Sequence, residues 1–178
     1  MRKRLNEELG RKTAEEFAAS EKMPLVLVLD NVRSHNNVGS VFRTADAFLI
    51  EKIILCGITA TPPHRDIQKT ALGATESVKW EYITETVDAV KKLKTEGYKV
   101  IAVEQVEGSC ELQDLVLSGK EKYAVIFGHE IEGVSQEVIN ECDGWLEIPQ
   151  FGTKHSFNIA VSAGIVLWEI WRKLNVSI

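Results

Sequence analysis

Short apolar segments alternate with segments of helical periodicity along most of this chain, and this alternation restricts its fold more than any other feature. Six segments rich in β-branched residues and bounded by turn-forming residues are typical of buried strands: residues 25–29, 52–56, 78–82, 98–103, 123–127 and 145–148. Four segments have apolar residues at helical spacing: 38–48, 84–96, 135–141 and 157–174. The alternation predicts an α/β fold, a mostly parallel six-stranded sheet with helices on both faces. Such sheets bind ligands beyond the carboxyl ends of their strands.

The sequence divides into an N-terminal arm and one larger unit. Residues 1–20 combine basic and apolar residues and predict an amphipathic helix that forms the arm. Residues 21–178 then make a single domain, with a stiff loop at the Pro-Pro-His segment 62–64. The first twelve residues contain five Lys or Arg, and two explanations stay open: the arm contacts phosphate groups, or it is a solvated helix start.

Charge and composition argue against several classes of protein. The net charge of −5 and a pI near 5.5 disfavour a protein that coats nucleic acid through a strongly basic surface. No apolar run of about 18 residues occurs, and the first residues lack the apolar core of a signal peptide, so we expect a cytoplasmic protein without a membrane segment. The three cysteines are widely spaced and form no C-x-x-C pair, so we expect neither a disulfide framework nor a metal site.

Several familiar motifs do not fit. The segment 128–133 has the glycine spacing of a phosphate-binding loop, but Val134 and Ser135 stand where Lys and Ser or Thr are required. His129 and Glu130 lack a second histidine at the spacing of helical zinc proteases. No G-x-G-x-x-G follows a predicted strand, and G-x-S-x-G is missing. The sequence therefore disfavours P-loop, dinucleotide-binding, zinc-protease and serine-hydrolase functions.

Three polar, glycine-bearing loops remain, each next to a predicted strand: residues 30–39, 127–134 and 148–158. In the first loop, free N–H groups at a helix start are suited to hold an anion or a hydroxyl, and Arg43 follows in the first turns of that helix. Alternatively, Asn36 or Asn37 only caps the helix, and Arg43 points to water.

The second and third loops allow the same two interpretations. Glu130 lies between Gly128 and Gly133, which allow close backbone approach and a tight turn, but a carboxylate in such a turn is usually a cap. Ser156 and Asn158 precede the last helix, where they either orient a ligand or cap the helix. From the residues alone, the three loops predict a small-ligand site at the carboxyl edge of the sheet.

Three segments, in this order, resemble the three motifs of the SpoU-type (TrmH-like) RNA ribose methyltransferases: NVGSVFRTADA at 37–47, IFGHEIEGV at 126–134 and IPQFGTKHSFNIAVS at 148–162. The segment KTALGA at 69–74 is similar to the family's sequence before its third strand. The resemblance covers residues 25–171. It implies a C-terminal trefoil knot, a homodimer formed through the knot region, and S-adenosylmethionine (SAM) as the cofactor, bound by the second and third motifs.

The resemblance also implies roles for individual residues. Those that match the family's catalytic and supporting positions are Arg43, Asn37, Glu130, Ser156 and Asn158. Those expected around the cofactor are Phe127, Gly128, Glu130, Ile148, Phe157 and Asn158. For Arg43 two roles stay open, activation of the acceptor hydroxyl or a bidentate hydrogen bond to the adjacent phosphate, because a guanidinium keeps its proton in proteins. His35 or His129 is an alternative base.

The implied activity is transfer of a methyl group from SAM to a ribose 2′-hydroxyl of tRNA or rRNA. The larger members of the family carry a further RNA-binding domain for which this sequence has no room, so we expect the arm, the dimer partner and the catalytic face to recognise the RNA. A non-catalytic relative that binds SAM or RNA is the main alternative. A nucleotide-dependent phosphotransferase is disfavoured by the missing phosphate loop.

Overall fold

The computed structural model describes residues 1–175, which form one sheet of seven parallel strands. The strands are β1 (Met23–Asp30), β2 (Ile50–Cys56), β3 (Trp80–Ile83), β4 (Tyr98–Val103), β5 (Cys110–Glu111), β6 (Lys122–Phe127) and β7 (Gly144–Glu147). They lie in the order β3-β2-β1-β6-β4-β7-β5. The predicted parallel α/β sheet is confirmed, but the predicted number of six strands is wrong. The strand β5 is absent from the sequence prediction, because its two residues are too few to show a strand period.

The seven α-helices of residues 1–175 are the four that the periodicity predicts, a short one within the predicted helical arm, and two that the periodicity does not reveal. They are α1 (Ala14–Ala19), α2 (His35–Ala47), α3 (Arg65–Ala71), α4 (Ala74–Ser77), α5 (Thr86–Thr95), α6 (Gln136–Glu141) and α7 (Ile159–Asn175). The missed helices α3 and α4 have seven and four residues, too short for a helical pattern to be recognised. Residues 176–178 of the predicted domain lie outside the described part of the chain.

The N-terminal arm is not the single helix that its sequence predicts. A 3-10 helix spans Asn6–Leu9, and Gly10 ends it with a left-handed φ of +57°. The helix α1 then begins after Thr13, whose side chain accepts from the N–H of Glu16. Glycine adopts this conformation readily, so it interrupts the helix although the apolar spacing continues through it. Phe17 of α1 is buried in the main core.

The sheet has an apolar core on each face. On one face α2, α3 and α7 cover Leu27, Leu29 and Ile53. On the other face α5 and α6 cover Val26 and Val28. Successive residues of β1 therefore enter opposite cores, as expected for a central parallel strand that is buried on both sides.

The strand β3 is an exception to the predicted burial. It lies at the edge of the sheet and pairs with β2 alone, and Trp80 and Tyr82 are exposed. The prediction that this strand is buried is therefore wrong. Its apolar sequence reflects the strand preference of aromatic residues more than burial.

The strand register places the ends of the central strands at one level. Leu29 of β1 and Val103 of β4 are both partners of Phe127 in β6, and Val103 also pairs with Leu146 of β7. The loops that follow these strands therefore start side by side at the carboxyl edge. Within residues 1–175 no helix has the length and apolarity to cross a membrane, and no cluster of three or more His, Cys, Asp or Glu is arranged to hold a metal ion.

Candidate functional site

Side chains from three separate loops meet at one asparagine on the carboxyl edge of the sheet. The amide Nδ2 of Asn37 donates to Oε1 of Glu130 at 3.1 Å. The Oδ1 of Asn37 accepts from Nδ2 of Asn158, also at 3.1 Å. The structure thus joins the three loops that the sequence analysis selected, although their residues are 93 and 121 positions apart in the chain.

Glu130 also fixes the loop before α2. Its carboxylate accepts from the N–H of Arg33 at 3.0 Å and from the N–H of Ser34 at 2.9 Å. Burial opposes the charge of Glu130, but these N–H groups and the Asn37 amide stabilise it more, so the pKa of this carboxyl lies below its ordinary value. Glu130 is therefore ionised at neutral pH and is a weak base. Its hydrogen bonds suit a role in which it connects the second loop to the first loop and to Asn37.

Neither asparagine at the start of α2 caps the helix. The N-cap is Ser34, whose Oγ accepts from the N–H of Asn37 at 3.3 Å. The side chain of Asn36 is exposed, and its backbone oxygen accepts from Oγ1 of Thr70 at 3.1 Å. The interpretation that Asn36 or Asn37 caps the helix is therefore wrong. Asn37 is the one of the two that faces the other loops.

The second loop is held by close backbone packing around its glycines. His129 and Gly133 form an antiparallel bridge, with N–H to O distances of 3.0 and 2.9 Å. A Cβ on Gly128 would lie 2.2 Å from the carbonyl carbon of Gly133, and Gly133 has a φ of +69°. A larger residue at Gly128 would require a shift of the backbone, and one at Gly133 would be strained by this φ.

A cavity of about 250 Å³ lies between the second and third loops. Apolar side chains from strand ends and from the start of α7 line it: Phe127, Leu146, Ile148, Phe157 and Ile159. Four carboxylate side chains also line it: Glu104, Glu130, Glu132 and Glu147. No Lys or Arg of the described chain is among its lining residues. The charge of the cavity therefore favours a ligand with a positive group over an anionic one.

The residues predicted around a cofactor lie mostly at this cavity. Those that line it are Phe127, Gly128, Glu130, Ile148 and Phe157. Asn158 is not among the lining residues and has two other contacts. Its Oδ1 accepts from the N–H of Ala160 at 3.0 Å and so caps α7, while its Nδ2 donates to Asn37. Ser156 lines the cavity, but within residues 1–175 its side chain forms no hydrogen bond.

Arg43 stands apart from this hydrogen-bonded group. It is exposed on α2, six residues after Asn37 and thus nearly two helical turns away. In the described part of the chain its guanidinium forms neither an ion pair nor a hydrogen bond. Arg43 is therefore available to a ligand that approaches from outside the protein.

The two histidines considered as bases have other contacts. The Nδ1 of His129 accepts from the N–H groups of Ile131 and Glu132, each at 3.1 Å, which stabilises the second loop. His35 stacks on His64, with ring centroids 3.9 Å apart and planes inclined by 13°. These contacts give both side chains structural roles and do not direct either to the Asn37–Glu130 pair.

A family model described as the SpoU rRNA Methylase family matches residues 24–168. The chain belongs to this family. One relative, the 23S rRNA (guanosine-2′-O-)-methyltransferase RlmB of Neisseria meningitidis, is 32% identical over 150 residues, which are 84% of this chain and 59% of that protein. The chain spans about three-fifths of the length of the curated relatives it matches.

Solved structures of other SpoU-like proteins have the same fold. The AdoMet-bound rRNA methyltransferase of Sinorhizobium meliloti is 28% identical, with a TM-score of 0.78 over 88% of this chain and 59% of that one. A structure that describes 2-OH methylation of C/U34 on tRNA is 25% identical, with a TM-score of 0.76. It matches 87% of this chain, and the match covers 100% of that protein.

Two residues of this SpoU family member contribute to the site although the sequence analysis did not select them. The carboxylate of Glu104, directly after β4, accepts from the N–H of Val134 at 2.9 Å and thereby holds the second loop. Gln105 donates Nε2 to the backbone oxygen of His155 at 2.9 Å and holds the third loop. The available signal was a pair of polar residues directly after a predicted strand, the same signal that selected the other loops.

Proposed function

We propose that this chain transfers a methyl group from SAM to a ribose 2′-hydroxyl of tRNA or rRNA. The observation that carries the proposal is the hydrogen-bonded group of Glu130, Asn37 and Asn158. It joins the loop before α2, which leads to the exposed Arg43, to the two loops that border the cavity. A methyltransferase needs such an arrangement, because donor and acceptor must be aligned for an in-line transfer.

The residues around the cavity fit SAM. SAM carries a positive sulfonium and a positive amino group, which agree with the four carboxylates and the lack of lining cations in the described chain. Apolar side chains such as Leu146 and Ile148 suit the faces of an adenine ring. A triphosphate would meet repulsion in the same place, which disfavours the phosphotransferase alternative. When bound, SAM supplies the electrophilic methyl group.

The side chains of this site then have distinct roles. Asn37, with both ends of its amide engaged, fixes the distance between α2 and the cavity. We assign Arg43 to a bidentate hydrogen bond with the phosphate beside the acceptor ribose, because its guanidinium is exposed, unpaired within residues 1–175 and permanently charged. Ser156 lines the cavity, and its hydroxyl forms no hydrogen bond within residues 1–175, so it is suited to contact the acceptor nucleotide.

We also propose the homodimer and the trefoil knot that the family resemblance implies. The helix α7 exposes Val161 and Trp168, and Trp168 packs beside Trp171 and Phe48 with centroids 5.3 and 6.4 Å away. An exposed apolar helix face of this kind is typical of a surface that a second copy covers. A monomeric mass in light scattering at micromolar concentration would contradict the proposed homodimer.

The deciding experiment is transfer of labelled methyl from SAM to bulk tRNA and rRNA, followed by alkaline hydrolysis. A 2′-O-methyl group blocks cleavage of the next bond, so we expect the label in alkali-resistant dinucleotides. Arg43→Ala should lower the rate about 100-fold or more through lost positioning while SAM affinity stays within about twofold. Arg43→Lys keeps the charge but loses the planar guanidinium that forms a bidentate hydrogen bond, so it should recover only part of the rate.

Each other outcome has a defined meaning. Label in free bases would refute ribose methylation. SAM binding without transfer to any RNA would favour the non-catalytic relative. Full activity of Arg43→Ala would refute the role assigned to Arg43.

A further inference from the structure

The cations of this acidic chain are distributed unequally between paired and unpaired positions. Around the helix α5 and the strands beside it, several lysines are paired, although Lys91 is not: Lys52 pairs with Glu81 at 3.0 Å, and Lys94 pairs with Asp143 at 3.0 Å. The exposed side chains of Arg33, Arg65 and Lys69 form no ion pair and no hydrogen bond within residues 1–175. Arg65 and Lys69 belong to α3, and Arg33 lies two residues before α2, on the other face of the sheet.

Close packing holds α2 and α3 together. A Cβ on Gly39 of α2 would lie 2.3 Å from the backbone oxygen of Ile67 in α3, so the helices touch through their backbones. The Oγ1 of Thr70 donates to the backbone oxygen of Asn36 at 3.1 Å. Arg65 and Lys69 of α3 are therefore held in a fixed position relative to α2.

The histidine stack brings the beginnings of the two helices together. His35 is the first residue of α2, and His64 is the N-cap of α3, with Nδ1 accepting from the N–H of Asp66 at 3.2 Å. Their rings stack 3.9 Å apart. Arg65 follows one member of the stack directly, and Arg33 precedes the other by two residues. Both arginines therefore lie near the same point of the carboxyl edge.

This surface is continuous with the candidate active site. The N–H of Arg33 donates to Glu130. Arg43 lies one helical turn after Gly39, on the side of α2 that faces α3. We call the four cations Arg33, Arg43, Arg65 and Lys69 the α2–α3 surface.

We propose that the α2–α3 surface binds the phosphates of the RNA strand next to the methylated nucleotide, with Arg65 and Lys69 as its outer contacts. The inference rests on the proposed function, since it assumes an RNA substrate. A chain of net charge −5 repels RNA on average, so productive binding requires a local surface whose cations are not already neutralised. The α2–α3 surface meets this requirement at the edge where the acceptor must enter. Part-exposed rings of the stacked histidines add a surface on which a base can stack.

The test compares two double variants that change the net charge equally. Arg65→Gln/Lys69→Gln removes the outer contacts, and Lys91→Gln/Lys120→Gln removes two exposed lysines outside the surface, whose side chains also form no ion pair within residues 1–175. Binding of bulk tRNA is measured over a range of salt concentrations, together with SAM affinity and methyl transfer. We expect the first variant to weaken tRNA binding at least about tenfold at low salt. The slope of log K against log salt should fall by about 0.7–0.9 for each phosphate contact that is lost.

The control variant should keep its tRNA affinity within about twofold of wild type and its salt slope within about 0.3. SAM affinity should be unchanged in both variants, and saturating RNA should restore kcat while KM stays raised. Arg65→Glu provides a second test whose folding is not in question, because an acidic residue in the first turn stabilises a helix start. It should weaken tRNA binding further than Arg65→Gln.

Equal tRNA binding by the two double variants would refute this inference while leaving the proposed function intact. Failure of the wild type to methylate any RNA, with tRNA binding still dependent on Arg65 and Lys69, would refute the proposed function alone.

Discussion

Replacing Asn37 by aspartate would change one amide nitrogen of the candidate site into a carboxylate oxygen and keep the shape of the side chain. The oxygen that accepts from Asn158 remains. The nitrogen that donates to Glu130 at 3.1 Å is lost, and two carboxylate oxygens face each other in its place. The substitution therefore tests whether the connection between the first two loops contributes to stability as its geometry indicates.

The expected cost follows from three contributions. A hydrogen bond to an ionised acceptor contributes about 1.5–3 kcal/mol. Repulsion between the two half-buried carboxylates, screened by solvent, adds about 1 kcal/mol. The N-terminus of α2 offsets about 0.3–1 kcal/mol, because it favours negative charge in its first turn. We therefore expect Asn37→Asp to lower the free energy of unfolding by about 2–3 kcal/mol at neutral pH.

The cost should shrink as the pH falls. Two neighbouring carboxylates share a proton, which raises the pKa of one of them in the folded variant above its value in the unfolded chain. The folded variant then binds more protons than the unfolded chain, so its stability rises relative to wild type as the pH falls from about 7 to about 5.5.

Urea unfolding of wild type, Asn37→Asp and Asn36→Asp at both pH values measures this difference. Asn36→Asp makes the same chemical change at the adjacent exposed position, and we expect it to stay within about 0.5 kcal/mol of wild type. If the two variants unfold at the same urea concentration at neutral pH, or if the cost for Asn37→Asp is independent of pH, the connecting role of Asn37 is refuted.

Two further predictions concern packing and thiol chemistry. Gly128→Ala places a Cβ 2.2 Å from a backbone atom, so it should lower Tm by about 4–8 °C and weaken SAM binding. The control Gly119→Ala has no atom within 4 Å of its Cβ and should change neither quantity. Equal melting temperatures of the two variants would contradict this prediction. Burial raises the pKa of the Cys56 and Cys142 thiols to about 12, so at pH 8 both should react with a thiol reagent at least about 100-fold more slowly than in the urea-unfolded chain. Rapid labelling of either in the native protein would contradict the raised pKa of these thiols.

The parts of the fold that could be predicted are those whose burial shows in the local pattern of apolar residues. The strand β1 is buried on both sides, so its apolar residues are continuous and easy to recognise. The helix α3 has only seven residues and lies against α2 through Ile67 and Ala71, so its position depends on a contact with Gly39 that no local pattern contains. The break at Gly10 was missed because apolar spacing on both sides of it is helical.

The site shows the same division. The motif segments selected Asn37, Glu130 and Asn158 as residues, but nothing in their spacing indicated that the Asn37 amide joins the other two. That contact depends on the parallel pairing of β1 with β6, where Leu29 is the partner of Phe127, which sets the first and second loops side by side. Strand order is a non-local property, so hydrogen bonds that depend on it follow only from the folded chain.

The separation of charge at the carboxyl edge would allow one acidic chain to bind the two ligands proposed for it, which have opposite charges. Carboxylates line the cavity, and cations that form no ion pair within residues 1–175 lie on or just before α2 and α3. Glu130 lies between these regions, and its negative charge is stabilised by N–H groups of the first loop instead of by a basic side chain. Because neither Arg33 nor Arg43 forms a salt bridge within residues 1–175, their charge is available to an anionic ligand such as phosphate. An Arg–Glu130 ion pair would have fixed the same loop but would have neutralised one of these cations, which the proposed RNA binding requires.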